Sequence, residues 1–115
     1  MKSDCIFCKI ANKEIKSEIV YEDKDMLAFK DIDPKAPVHF LFIPKKHITT
    51  LNDILPEDGA LLGNMFLKMK ETALKHGISS DGYRIVANCN KNGGQAVLHL
   101  HFHLLGGRSL AWPPG

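Results

Sequence analysis

Residues 97–105 read VLHLHFHLL, a run in which apolar residues alternate with three histidines. Successive side chains of an extended strand point to opposite faces, so His99, His101 and His103 are expected to share one face. The opposite face is apolar and consists of Leu98, Leu100, Phe102 and Leu104. The alternation therefore predicts a strand over Val97–Leu105 that packs its leucines on a core and turns its histidines towards a cleft.

Four more strands and two helices are predicted around this run. Apolar residues recur at helical spacing between residues 5 and 13, which predicts a short helix, and between Pro56 and His76, which predicts one long helix. The segments IVYED, MLAFKD, VHFLFIP and YRIVANC, which begin at residues 19, 26, 38 and 83, predict strands, and NKNGGQ at 90–95 predicts a loop. Without βαβ alternation, the pattern predicts an α+β domain with a five-stranded antiparallel sheet.

The composition is that of an ordinary globular chain, with 115 residues, 44% hydrophobic and 24% charged residues, and a formal net charge of +2. One domain over residues 1–115 is expected at this length. Lysines and arginines are dispersed, which argues against nucleic acid as a partner. The first residues, MKSDCIFCKIANKE, contain no signal-peptide core, and no run of about 18 apolar residues occurs, so we expect no membrane partner and a cytoplasmic location.

Three histidines with no other polar residue on the same strand face favour a chemical role, since threonine or lysine would serve solubility equally well. One alternative is a three-histidine metal site with an open position for water. The outer histidines of a regular strand are roughly 13–14 Å apart, however, too far to share one ion at about 2 Å. The other is nucleophilic catalysis at phosphorus, in which the middle histidine attacks and its neighbours orient and neutralise the phosphate.

Two further short motifs bear on the chemistry of the chain. Gly93 and Gly94 precede the histidine run, and their backbone N–H groups are suited to forming an anion-binding nest. Cys5-x-x-Cys8 has the spacing of half a zinc site, although a redox-active pair and two buried thiols are alternatives. Cys89 stands alone and is expected to pack in the interior.

The motifs together resemble the histidine-triad (HIT) superfamily. HLHFHLL has its His-φ-His-φ-His-φ-φ form, where φ is apolar, and the similarity extends through DIDPKAPVHFLFIPKKHI, GYRIVAN, NGGQAVLHLHFHLLGGR and the terminal WPPG, in the order of the Hint branch. The resemblance covers nearly the whole chain. It implies a HIT-like fold, a homodimer that joins two sheets, and hydrolysis of purine nucleotide phosphoramidates to the nucleoside monophosphate and an amine.

The resemblance assigns a different role to each histidine. His101 is implied to be the nucleophile that forms a nucleotidyl intermediate, with its second ring nitrogen held by the carbonyl of His99. His103 is implied to contact the phosphate oxygens, best when protonated, and to assist an amine leaving group. His39 is implied to lie beside the triad, although it is equally suited to being a packed strand residue.

Nucleotide-binding residues follow from the same resemblance. Asp31 is implied to accept the ribose hydroxyls, and Asn88 to lie near the ribose and phosphate. Four residues are implied to form an apolar base slot: Phe7, Ile10, Phe29 and Ile32. Gly94, Gln95 and Ala96 resemble the phosphate loop, and Trp112 of the partner subunit is implied to reach the pocket. Many Hint relatives have serine at the position of Ala96, so a slower phosphoramidase is expected.

The resemblance also completes the zinc site. In bacterial-type HIT proteins and galactose-1-phosphate uridylyltransferases a similar cysteine pair joins two histidines, and the matching positions here are His47 and His99. The implied cofactor is a structural zinc held by Cys5, Cys8, His47 and His99, with no organic cofactor. Two alternative functions stay open: hydrolysis of dinucleoside polyphosphates, as in the Fhit branch, and nucleotide or partner binding with vestigial turnover.

Overall fold

The predicted α+β architecture with a five-stranded antiparallel sheet is confirmed by the computed structural model, which describes residues 4–115. The strands are β1 (Ile19–Glu22), β2 (Met26–Lys30), β3 (Val38–Pro44), β4 (Tyr83–Val86) and β5 (Phe102–Gly106). The helices are α1 (Ile6–Ala11), α2 (Gly59–Lys75) and the short α3 (Asn90–Gly93), and 3₁₀ turns cover Leu51–Asp53 and Pro56–Asp58. The strand order is β1-β2-β3-β5-β4, so β3 lies at the centre, next to β5.

The register of β3 on β5 assigns side chains to the two faces of the sheet. Phe40 lies opposite Leu104, and Leu41 lies opposite His103. Residues directly opposite each other in an antiparallel pair project to the same face, so the phenylalanines of β3 face one side and the candidate histidines the other.

The long helix α2 covers the apolar face of the sheet. Its buried residues Met65, Met69 and Ala73 join Phe42 and Leu104 in the larger hydrophobic core. The helix ends as its sequence predicts, because Gly77 follows it with φ of 75°, a conformation that favours glycine.

The short helix α1 covers part of the opposite face. Its buried residues Phe7 and Ile10 pack on Leu41 and Ile43 of β3 in a second, smaller core. β3 is buried along nearly its whole length, whereas the side chains of β5 on the α1 face, His103 and Leu105, are half-buried. The candidate site therefore lies between the sheet and α1.

The extent of the histidine strand is corrected by the structure. The ladder begins only at Phe102, so His99 and His101 precede β5 in irregular backbone. The register would place His101 opposite Ile43 and Leu100 opposite Pro44, but Pro44 has no N–H to donate and Leu100 donates its own N–H to the carbonyl oxygen of Ile48. Leu98 is also misassigned: it is 58% exposed, whereas the other three members of the predicted apolar face are buried.

Four further features of the secondary structure differ from the sequence-based expectation. The fourth strand ends at Val86 and does not continue to Cys89, and the predicted loop at 90–95 contains α3. The long helix begins at Gly59, because Pro56 lies in a separate 3₁₀ turn. The first helix is shorter than predicted and begins after Cys5, whose sulfur accepts the N–H of Cys8 as an N-cap.

Candidate functional site

The backbone fixes which nitrogen of the His101 ring donates a hydrogen bond. Nδ1 of this ring lies 2.7 Å from the carbonyl oxygen of His99, and a carbonyl only accepts, so Nδ1 carries the proton and donates it. In the neutral ring, Nε2 then keeps a lone pair. The ring is buried, and Phe7 meets it edge-on with centroids 5.0 Å apart. The arrangement presents one nucleophilic nitrogen on an immobilised imidazole.

His39 and His103 form a hydrogen-bonded pair beside that ring. The backbone N–H of Lys35 donates to Nδ1 of His39 over 3.0 Å, so the proton of a neutral His39 resides on Nε2. That Nε2 lies 2.9 Å from Nδ1 of His103, which must accept. His103 therefore carries its own proton on Nε2, and its ring centroid lies 5.1 Å from that of His101. A donor is thus placed next to the nucleophile.

The pKa of His103 is lowered to about 4, mainly by burial and also by repulsion from His101 and His39 when these are protonated, while Asp31 opposes the shift. Burial also lowers the pKa of His39, again against Asp31, whose Oδ2 lies 3.4 Å from His39 Nε2. Both rings are therefore uncharged at neutral pH in the free protein. His103 was expected to act best when protonated, but the neutral ring with its proton on Nε2 already supplies a donor.

A cleft of about 310 Å³ opens next to this pair. Its lining includes Asp31, His39, Asn88 and His103 together with the apolar side chains of Val86 and Leu105. The structure thus brings Asp31 and Asn88, which the resemblance places near the ribose, next to His39 and His103.

The backbone of the loop between α3 and the histidine run forms internal hydrogen bonds. Gly94 has φ of 78° and donates its N–H to Lys91, and Gln95 donates its N–H to Asn90. The glycine pair was expected to form an open nest, but Gly93 ends a short helix and Gly94 caps it, so these donors are engaged. Within residues 4–115 the N–H of Ala96 has no protein acceptor, so it is available to an anion.

The predicted base-slot residues divide into two groups. Phe7, Ile10 and Phe29 lie together in the smaller core, and the rings of Phe7 and Phe29 are 5.5 Å apart. Ile32 projects fully into solvent from the loop between β2 and β3, and Trp112 is 81% exposed in the C-terminal tail. The structure of the single chain does not bring these last two onto the slot.

A second site is formed by the four predicted metal ligands. Cys5 Sγ lies 3.2 Å from His99 Nδ1, Cys8 Sγ lies 3.5 Å from the same atom, and Cys8 Sγ lies 3.2 Å from His47 Nδ1. One ligand atom from each of the four residues lies within 4.8 Å of every other. Two thiols and two imidazoles converging in this way form the donor set that Zn²⁺ takes in closed tetrahedral sites.

Outer hydrogen bonds orient the ligand nitrogens of this cluster. His99 Nε2 donates to the carbonyl oxygen of Pro44 over 2.8 Å, so its Nδ1 is bare towards the two sulfurs. Burial lowers the pKa of His99 to about 4, which keeps the ring in the neutral form that a metal requires. The Nε2 of His47 lies 3.3 Å from the hydroxyl of Thr49. The residues present therefore fit a zinc ion.

Asp31, His39 and His103 also place ligand atoms within 4.8 Å of one another, but the proton on His39 Nε2 disfavours a metal ion there. The Lys35 N–H occupies Nδ1 of His39, so Nε2 carries a proton and has no lone pair for an ion. This second cluster is a hydrogen-bonded chain, whereas the cysteine cluster is suited to binding metal.

Sequence reasoning missed the backbone groups that fix the ring tautomers at these sites. The N–H of Lys35 and the carbonyl of Pro44 orient His39 and His99, and no side-chain pattern marks a backbone group. Thr49 was also missed, although a hydroxyl two residues after a predicted ligand is a recognisable signal for an outer partner.

Comparison with known proteins places the chain in a family. Residues 4–111 match the family model described as the scavenger mRNA decapping enzyme C-terminal binding domain. A HIT-like protein of Synechococcus elongatus is 54% identical over the full length of both chains. The crystal structure of a HIT family hydrolase from Legionella pneumophila superimposes with a TM-score of 0.96 at 54% identity, covering 97% of this chain and 100% of that one. A histidine triad protein from Clostridium difficile gives 0.93 at 44% identity, covering 96% of both.

The chain belongs to the HIT superfamily, and its fold is that of HIT family hydrolases. Among residues 4–115 no helix is long and apolar enough to cross a membrane.

Proposed function

We propose that the protein hydrolyses purine nucleotide phosphoramidates to the nucleoside monophosphate and an amine through an intermediate on His101. The observation that carries the proposal is the hydrogen bond from His101 Nδ1 to His99 O, because it leaves Nε2 as a nucleophile without deprotonation. The hydrolase fold shared with the relatives supports the reaction class.

The reaction has two displacements at phosphorus. Nε2 of His101 forms a bond to the α-phosphorus, the P–N bond to the amine breaks, and the leaving nitrogen takes a proton. Water then attacks the same phosphorus, the bond to Nε2 breaks, and the nucleoside monophosphate leaves. The imidazole is a good leaving group because its ring nitrogen carries positive charge in the intermediate, so one difficult displacement becomes two easier ones.

Several neighbours support phosphate binding in this scheme. The Nε2 proton of His103 is a donor beside the nucleophile ring, and His39 Nε2 holds that tautomer by donating to Nδ1. The free N–H of Ala96 is a further donor to a phosphate oxygen. The leaving amine takes one proton from solvent while Nε2 of His103 donates a hydrogen bond to it, and the attacking water returns one proton to solvent in the second displacement, so that protons balance over the cycle.

The nucleoside is proposed to bind along the cleft and under α1. Asp31 and Asn88 line the cleft beside His103, where the ribose hydroxyls are expected. The proposed apolar slot for the purine consists of Phe7, Ile10 and Phe29. Trp112 of the partner subunit is proposed to complete the pocket.

We further propose a structural zinc bound by Cys5, Cys8, His47 and His99. The ion would close a tetrahedron between α1, the end of β3 and the segment that carries His99, and so pin these segments together. No position remains open for substrate in such a site. The catalytic steps are therefore assigned to the protein's own histidines.

A homodimer is proposed in which two sheets join. The strand β4 lies at one edge of the sheet, and α2 exposes Phe66 and Leu67 on its outer surface. Outward backbone groups of an edge strand are available to a second copy, and exposed apolar side chains favour association. Sedimentation equilibrium at micromolar concentration tests this, with twice the mass of the chain as the expected result. A cytoplasmic location is proposed with it.

Hydrolysis of an adenosine 5′-monophosphoramidate of a simple amine tests the function. The variant His101→Ala is expected to lose about 10³-fold or more in kcat/KM while binding AMP with a Kd close to that of the unmodified protein. His76→Ala is the matched control, because His76 lies at the C-terminal end of α2, outside the site. Retention of activity by His101→Ala would contradict the proposal, and faster hydrolysis of a dinucleoside polyphosphate would replace the phosphoramidate with that substrate.

A further inference from the structure

Gln95 joins three separate segments of the chain through its carboxamide. Its Nε2 donates to the carbonyl oxygen of Thr49 over 2.8 Å and to that of Val97 over 3.0 Å. Its Oε1 accepts the backbone N–H of Asn90 over 2.9 Å. One side chain therefore links the segment after His47, the start of α3 and the segment that leads into the histidine run.

These bonds use the donors of the carboxamide completely. A primary amide has two N–H donors, and both are committed to backbone carbonyls. The oxygen retains only acceptor capacity, which repels a phosphate oxygen. Although the sequence groups Gln95 with the phosphate loop, its side chain has no donor to offer a nucleotide.

The segment that Gln95 closes is conformationally demanding. Asn90 has φ of 59°, in the left-handed region that favours glycine. Gln95 and Asn90 exchange two hydrogen bonds, one from Asn90 N to Oε1 and one from Gln95 N to Asn90 O over 3.1 Å. The side chain thus closes a loop whose first residue has a left-handed backbone conformation.

The hydrogen bonds of Gln95 also restrain two backbone segments close to His101. Val97 lies two residues before His99, whose carbonyl holds the tautomer of His101. Thr49 follows Ile48, whose carbonyl accepts the N–H of Leu100 over 2.6 Å. The Thr49 and Val97 bonds therefore tie together the two backbone segments that flank the irregular stretch carrying His99 and His101.

We propose that Gln95 is a positioning residue that fixes the loop at 90–98, and thereby the Ala96 N–H and the His99 carbonyl, without touching the nucleotide. The catalytic part of this inference rests on the proposed function, because it concerns the geometry of that same site. The structural part, that the carboxamide orders the loop, does not depend on any reaction.

Two substitutions of Gln95 separate its donors from its acceptor. Gln95→Met keeps the length of the side chain and removes all three hydrogen bonds. Gln95→Glu keeps an acceptor for Asn90 N–H but places a carboxylate against the carbonyls of Thr49 and Val97. Asn64→Met, on the exposed surface of α2, is the matched loss of an amide.

Amide hydrogen exchange and steady-state kinetics are then measured on all four proteins. In Gln95→Met the amide of Asn90 is expected to exchange about tenfold faster or more, and in both Gln95 variants kcat is expected to fall by about tenfold or more, by the same factor for two different amine leaving groups. KM is expected to change by less than about threefold, because no substrate contact is lost. Asn64→Met is expected to behave as the unmodified protein does.

Unchanged exchange at Asn90 in Gln95→Met would overturn the proposal. A loss that appears mainly in KM, or that differs between the two leaving groups, would also overturn it by showing direct contact with the substrate. If the unmodified protein has no phosphoramidase activity, the exchange measurement still decides the structural part, so failure of the proposed function is distinguishable from failure of this inference.

Discussion

The ring of His101 donates its Nδ1 proton to the backbone carbonyl of His99, 2.7 Å away. The ring of His99 turns to the other side and faces the sulfurs of Cys5 and Cys8. One residue therefore contributes its backbone to the candidate nucleophile and its side chain to the candidate metal cluster. Whatever fixes the side chain of His99 also restrains the carbonyl that sets the tautomer of His101.

The first prediction concerns the zinc content of the protein. Protein purified without added metal is expected to contain about one zinc per chain, because four ligand atoms are already gathered. Cys8→Ser is expected to lose the metal and to lower Tm by at least about 4 °C, since the ion links α1 to the sheet. Metal analysis and a thermal melt measure both effects.

Cys89→Ser is the control for this substitution, because Cys89 lies outside the cluster. It is expected to retain the metal. Less than about 0.2 zinc per chain in the unmodified protein, together with activity that is insensitive to a chelator, would contradict the zinc assignment.

The pH dependence of stability is a second prediction. The pKa of His103 is lowered by burial to about 4 in the folded state, against 6.5 as its ordinary value. Between these values the unfolded chain binds more protons, so the free energy of unfolding decreases as the pH falls. His103→Asn is expected to lose about 1–2 kcal/mol of the difference in unfolding free energy between pH 7 and pH 5. Urea denaturation at the two pH values measures it.

His76→Asn serves as the control for loss of a histidine, since His76 is exposed at the end of α2. Equal pH slopes for the unmodified protein and His103→Asn would show that burial does not shift the titration of His103.

The loop residue Ala96 gives a third prediction. A hydroxyl at this position would lie on the loop that carries the free N–H and would assist protonation of a leaving amine. Ala96→Ser is expected to raise kcat/KM by about three- to tenfold for an alkylamine phosphoramidate and to have less effect on a weakly basic aromatic amine. Equal kcat/KM values for both proteins on the alkylamine substrate would make the missing hydroxyl irrelevant.

Alanine substitutions at two glycines are expected to have opposite effects on stability. A Cβ on Gly106 would lie 2.6 Å from Ile78 Cδ1 and 3.0 Å from Ile78 Cβ, so Gly106→Ala is expected to destabilise the fold by about 1–3 kcal/mol. A Cβ on Gly63 meets nothing within 4 Å on α2, so Gly63→Ala is expected to stabilise it by up to about 1 kcal/mol. Denaturant midpoints compare the two, and a stabilising Gly106→Ala would contradict the close packing at the end of β5.

The sequence predicts the sheet and the long helix because their signals are local and periodic. The apolar steps along α2 and the glycine after it mark that helix within a few residues. The histidine run shows where such reasoning stops. Its alternation continues through His99 and His101, but the ladder does not, because Pro44 has no N–H to donate and Leu100 donates its N–H to the carbonyl oxygen of Ile48 instead.

The candidate site, like the fold, is predicted from the sequence only in part. Its side chains are visible in the sequence as a histidine run and a cysteine pair, and the structure gathers the four proposed metal ligands as the resemblance implies. Which ring nitrogen carries each proton depends on the Lys35 N–H and on the carbonyls of Pro44 and His99, and these backbone groups have no sequence signature. The carboxamide of Gln95 likewise shows its partners only in three dimensions.

The central claim, a nucleotidyl intermediate on His101, is tested most directly by mapping the adduct. The protein in excess is mixed with an adenosine phosphoramidate, quenched at high pH during the first turnover, digested, and analysed by mass spectrometry. One adenylyl group on the peptide that contains residues 99–103, with fragment ions that place it on His101, is the predicted result. An adduct on Cys8 or on His103, or a completed first turnover with no adduct on any peptide, would contradict the mechanism.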